Sequence, residues 1–191
     1  MALAWRRRRF TVDDYHQMAD AGILTEDDRV ELIEGEVVEL PPIGPEHTGN
    51  VSRFTETFYQ KYTDVAQVST QNPVRLSDLS EPQPDVVLLR RRADYYTSAH
   101  PAPEDVFLED VFLVVEIAKT SIDYDRQVKL ALYARSGIPE AWLVDLNQDS
   151  ILVYRDPSAD GYGTVRVARR SEEIAPLAFP DRPLSVTALL G

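Results

Sequence analysis

The sequence predicts an α/β or α+β domain built on one mixed sheet, and three observations carry that prediction. Val111–Ala118, interrupted only by Glu116 near its end, is the most apolar run in the chain and of strand length, the pattern of a central strand buried on both faces. Val51, Phe54, Phe58 and Tyr62 recur at helical spacing. Helical and strand-like segments also succeed one another along the chain in an order that a single sheet with helices accommodates.

From the N-terminus, Thr11 with Asp13 and Asp14 forms a helix start, and Gly22 stops that helix. In Arg29–Leu40 (RVELIEGEVVEL) two strands flank Glu34-Gly35, which predicts a hairpin ended by Pro41-Pro42. A helix follows from about Glu46 to Tyr62. Strands are predicted at Val65–Thr70, Pro73–Leu76 and Val86–Leu89, then a polar loop at Arg90–Asp110, then the Val111–Ala118 strand. Asp123–Ser136 is rich in helix formers and ends at Gly137 with Pro139 beyond. AWLVDL and SILVYR are strands joined by a turn at Asn147–Asp149, and TVRVARR is an edge strand. The chain divides nowhere. Residues 1–191 are expected to form one domain, with a basic tail at 1–9 and a Pro-broken C-terminal extension at 156–191.

Composition narrows the function. The 191 residues include 20 Lys+Arg and 32 Asp+Glu, a formal charge of −12, which disfavours binding nucleic acid by blanket phosphate neutralisation. The basic clusters Arg6–Arg9, Arg90–Arg92 and Arg169-Arg170 are either local phosphate contacts or solvated faces. With no Cys, disulfides, thiolate zinc, iron–sulfur clusters and thiol nucleophiles are excluded. No segment approaches the roughly 18 apolar residues of a membrane span. Arg6–Arg9 follows the short apolar start where a signal peptide would have it first, so a cytoplasmic location is expected. No GxxxxGK[ST] or GxSxG occurs, which argues against P-loop and serine-hydrolase chemistry.

Asp85 and Glu116 are the informative acids, each at the edge of an apolar strand, where a charge must be solvated, paired or bound to a cation. Period two places Glu116 on the face of Val114 and Phe112. If the two strands are neighbours, the carboxylates converge into an oxygen site for a hard divalent ion; otherwise each faces water or an Arg or Lys. Lys129, on the next helix, is either an i,i+4 surface partner of Asp125 or the ammonium that completes a phosphodiester-hydrolysing set.

Five blocks in this order, RVELIEGEVVEL, PPIGPEHTGNV, QPDVVLL, LVVEIAKTS and YDRQVKLALYARSGIPEAWLVDL, resemble the Uma-type family of "putative restriction endonucleases" in the PD-(D/E)XK nuclease superfamily. The resemblance runs from about Phe10 to Tyr154, and its last block is the most specific. It implies a restriction-endonuclease-like mixed central sheet flanked by helices, and DNA cleavage dependent on Mg2+, with Mn2+ as a substitute. Asp85 fits the first acid and Glu116 the second. The lysine usual two residues later is absent, since position 118 is Ala and Lys119 would face the opposite way. The resemblance moves that role to Lys129. It also matches Glu34 to an additional catalytic and metal-site acid, against its other reading as a turn residue before Gly35. His47 is matched as a substrate contact or helix-start residue. Gln127 and Tyr133 lie near Lys129 as substrate contacts, packing being the other account of Tyr133. DNA of unspecified sequence is the implied partner. The alternative is a catalytically silent nuclease fold acting as a homo-oligomeric interaction module.

Overall fold

The computed structural model describes residues 7–25, 27–92 and 108–191. Helix α1 (Val12–Asp20) begins where Thr11 accepts from Asp14 N while the Asp14 carboxylate accepts from Thr11 N, a reciprocal capping box. Strands β1 (Val30–Ile33) and β2 (Glu36–Glu39) pair antiparallel around Glu34-Gly35. Both turn residues have positive φ, 50° and 81°, as a two-residue hairpin demands. Gly35 has a second reason to be glycine: a Cβ there would lie 2.6 Å from Arg9 Cβ.

Six strands form the main sheet, in spatial order β3 (Ala66–Thr70), β4 (Val86–Arg90), β5 (Val111–Ala118), β6 (Glu140–Asp145), β7 (Ser150–Ser158) and β8 (Gly161–Arg169). Only β5 and β6 pair in parallel, which makes the sheet mixed. The apolar run at β5 is explained by that position. Its crossover to β6 is helical, so both of its faces are covered. On one face, Leu88, Leu113, Val115 and Trp142 pack against Phe54, Phe58 and Tyr62 of α2 (Pro45–Tyr62) and against Leu189 of α5 (Val186–Leu190). On the other, Val87, Leu89, Val114 and Leu143 pack against Leu130 and Tyr133. The crossover helix runs from α3 (Ile122–Tyr124) through a π-helical stretch, Asp125–Lys129, into α4 (Leu130–Ser136), ending at Gly137 with φ 85°.

Two expectations are corrected. Pro73–Leu76 is not a strand: Val74 N and Leu76 N donate to Pro82 O and Ser80 O, so a tight local turn satisfies this backbone in place of a ladder. Phe112 does not share the face of Glu116 and Val114. Leu88 pairs with Leu113 and Leu89 with Val111, so Phe112 is the extra residue of a β-bulge and packs edge-on against Phe179, centroids 5.4 Å apart, on the α2 side.

The C-terminal segment is no appendage. It supplies the sixth strand, the short pair β9 (Glu173–Ile174) and β10 (Leu184–Ser185), and the core residues Val186, Leu189 and Leu190. Buried Glu140 anchors it, accepting from Arg155, Trp142 and Leu177 N. Among the described residues, no helix is long and apolar enough to cross a membrane.

Candidate active site

Strand register brings the two diagnostic acids together. Val86 pairs with Val115 in the antiparallel β4–β5 ladder, and one further step sets Asp85 opposite Glu116. Both face the crossover-helix side, as Val87 and Val114 do. Asp85 Oδ2 accepts from Ile117 N at 2.8 Å and lies 3.0 Å from His47 Nε2. Glu116 Oε1 accepts from Tyr133 OH at 2.5 Å and stands 2.8 Å from Lys129 Nζ.

Lys129 is 4% exposed, at the end of the π-helical stretch. A π turn adds a residue to the helical repeat and so re-aims the side chains around it. Asp125 and Lys129 are therefore no surface ion pair: both are buried, and Asp125 accepts from Ser121 Oγ at 2.7 Å. The second ion-pair partner of Lys129 is Glu31, on the β1 hairpin, at 3.1 Å.

Glu31 is the site residue that sequence reasoning missed. Its Oε1 accepts from Lys129 and Gln83 N, while its buried Oε2 has no hydrogen-bond partner. A signal for it existed. An acid inside Val-Glu-Leu-Ile is the same anomaly as Glu116 inside VFLVVEIA, but a hairpin strand ordinarily turns such a residue to solvent.

Glu31, Asp85, Glu116 and Lys129 line a cavity of about 630 Å3, together with loop residues 40–44 and the first residues of α2. Six acids line it, Glu31, Glu39, Glu46, Asp85, Glu116 and Asp125, against the cations Arg29, Lys119 and Lys129. Burial pushes the Glu116 carboxyl well above the usual range; Lys129 opposes this, and Asp125, Asp85 and Glu31 reinforce it. Asp125 is raised for the same leading reason. Burial works against the charge of Lys129, but Glu116, Glu31 and Asp125 outweigh it and hold the ammonium protonated. The hydrogen bond to Asp85 raises His47. Tyr124, whose buried hydroxyl has no hydrogen-bond partner, is pushed up to about 12 chiefly by burial.

The donor set suits a hard divalent cation: all oxygen, net negative, with a free carboxylate oxygen on Glu31. Among the described residues, no three His, Asp or Glu side chains converge into a ready-made metal cage. Asp85 and Glu116, opposite each other at the cavity on neighbouring strands, could together with Glu31 offer oxygens to such an ion.

The other expected site residues separate. Glu34 does not join the cavity; it sits exposed in the hairpin turn and binds Arg135 Nη2 at 3.0 Å. Gln127 is exposed and lies outside the cavity lining. Tyr133 is fully buried, donates its hydroxyl to Glu116 and lies outside the cavity lining. His47 does line the cavity, at the start of α2. Lys119 lines the cavity too, but its ion-pair partner there is Glu46 and not Asp85 or Glu116. The basic clusters are largely engaged: Arg7 pairs with Glu36, Arg90 and Arg92 with Asp110, Arg170 with Asp149, and Arg91 donates to Thr63 O and Asp64 O. Arg6 lies outside the described residues.

A family model described as "Uma2: Putative restriction endonuclease" matches residues 12–187. The fold resembles the crystal structure of "a putative nuclease belonging to DUF820" from Anabaena variabilis ATCC 29413, with a TM-score of 0.72, 18% sequence identity, and coverage of 95% of this chain and 97% of that one. No curated protein matches the chain. With a match that spans nearly its whole length, the chain belongs to the Uma2 family.

Proposed function

We propose that this protein is a divalent-metal-dependent endonuclease that hydrolyses phosphodiester bonds in DNA. The observation that carries the proposal is the buried lysine: Lys129 stands between Glu116 and Glu31 in a cavity that Asp85 and His47 also line. The family's description points to the same reaction class.

In this reading Asp85 and Glu116 hold Mg2+, or Mn2+ in its place. The ion, when bound, polarises the phosphate and lowers the pKa of its water. Lys129 supplies a fixed positive charge next to the acids, oriented before substrate arrives because its two ion pairs hold it, and positions the nucleophile or offsets charge developing on the phosphate. Glu31 and Tyr133 are positioning residues, the first holding the ammonium and the second the Glu116 carboxylate. Ile117 N and His47 Nε2 fix one oxygen of Asp85. The silent-module alternative turns on whether Lys129 reaches both Asp85 and Glu116: the ammonium is not directed at solvent and meets Glu116, but its second ion-pair partner is Glu31 and not Asp85.

Calorimetric titration of Mg2+ and Mn2+ into wild type, Asp85→Asn and Glu116→Gln tests the reading, alongside cleavage of plasmid and oligonucleotide DNA. Saturable metal binding that weakens in both variants, with cleavage lost in Lys129→Met, is the expected result. Metal affinity unchanged in both acid variants overturns it.

A further inference from the structure

A second groove, of about 690 Å3, runs beside α2 and abuts the catalytic cavity, with Ile43 and Gln71 lining both. Its chemistry differs from the cavity's. Thr48, Ser52 and Thr55 line it, and each donates its hydroxyl back to the helix carbonyl four residues earlier, Gly44, Thr48 and Val51, at 3.3, 3.0 and 2.8 Å. What these hydroxyls have left to offer is lone pairs. Glu56, the one charged residue of the lining, is likewise an acceptor and takes a hydrogen bond from Gln60 Nε2 at 3.1 Å, while the side-chain amides of Gln60 and Gln71 add donors as well as acceptors. Above this wall Tyr59 is 57% exposed and Ile43 41% exposed.

A lining with one negative charge and no cation disfavours phosphate, its hydroxyl oxygens and amides can pair with the polar edge of a planar heterocycle, and an exposed aromatic ring with an aliphatic neighbour offers a flat apolar contact. Unpaired nucleobases carry both complements: exocyclic amino groups on their edges and π-faces that stack on aromatic side chains. In a duplex the pairing donors are occupied and the faces already stacked. A strand held base-inward also turns its phosphates to water, the arrangement a chain of charge −12 tolerates best.

We propose that the groove holds unpaired nucleotides flanking the scissile phosphate, with one base stacked on Tyr59, so that the substrate is single-stranded DNA or a single-stranded stretch beside a duplex. The proposal rests on the nuclease reading of the adjacent cavity and deepens it.

Fluorescence anisotropy with a short labelled single strand and with its duplex, in Ca2+, tests the proposal on the full chain. The single strand is expected to bind more tightly than the duplex. Tyr59→Ala is expected to weaken it about 5- to 150-fold, the loss of one base–aromatic stack, while Tyr59→Phe retains binding. Duplex bound as tightly as single strand, no oligonucleotide bound, or unchanged affinity in Tyr59→Ala would each overturn the proposal. A parallel Mn2+ cleavage assay separates the two readings. Tyr59-dependent binding of single strands that are never cut sustains the groove and refutes the nuclease, whereas duplex cutting indifferent to Tyr59→Ala sustains the nuclease and refutes the groove.

Discussion

Replacing Lys129 by Met removes the ammonium that pairs with two buried carboxylates while keeping most of the side-chain volume. The contacts at 2.8 Å to Glu116 and 3.1 Å to Glu31 are each worth about 5–6 kcal/mol of Coulomb attraction at an effective dielectric near 20. Desolvation of all three groups cancels much of this in the wild type. Removal of one partner nonetheless leaves uncompensated buried charge, at a net cost of about 3–5 kcal/mol. The pH dependence has a definite sign. Glu116, already raised by burial, rises further without Lys129. A carboxyl raised in the folded state binds more protons folded than unfolded, so stability falls as pH rises from the ordinary glutamate range toward the raised value. The deficit of the variant should therefore be larger at about pH 8 than at about pH 5.5. Urea denaturation in EDTA at both values measures it, and adding Glu116→Gln to Lys129→Met should recover part of the loss. A deficit below about 1 kcal/mol at the higher pH, or one independent of pH, would refute the assignment of Lys129 as the buried counter-charge.

Three further perturbations probe the elements that support the site. Tyr133→Phe deletes the 2.5 Å hydrogen bond to Glu116 and should cost about 1.5–3 kcal/mol in urea unfolding; a cost near zero would show that this donor does not hold the carboxylate. Phe58 packs within 5.5–5.8 Å centroid distance of Phe54, Tyr62 and Trp142, so Phe58→Ala should lower stability by about 3–5 kcal/mol, and a smaller loss would mean that α2 is not seated on the sheet through this ring. Hydrogen bonds from Arg182 hold the exposed Asp64 carboxyl below the usual range, so that pair stabilises above about pH 4 and fades as pH falls through the depressed value. The gap in urea midpoint between wild type and Asp64→Asn should accordingly close in acid, and a gap that persists there argues against the ion pair.

Much of this protein is legible from its sequence, because local signals and the hydrophobic period carry it. Thr11, Glu34-Gly35, Gly137 and the Val111–Ala118 run each mark an element that forms where expected. Asp85 and Glu116 stand out since a charge at the edge of an apolar strand demands compensation wherever the strand lies. Other features depend on register and packing, which no local pattern encodes. The bulge at Phe112 turns one side chain to the opposite face. The π turn directs Lys129 inward, where helix periodicity alone allowed an exposed partner of Asp125. Glu31 reaches the cavity, and Glu34 does not, because the hairpin docks through Leu32 pairing with Glu81, which buries the β1 acid and leaves the turn acid in water. Sequence by itself thus determined which residues needed a partner, since desolvation is a property of each charge. Only the tertiary structure decided which partner each one met, since that depends on how strands and helices remote in the chain come to pack.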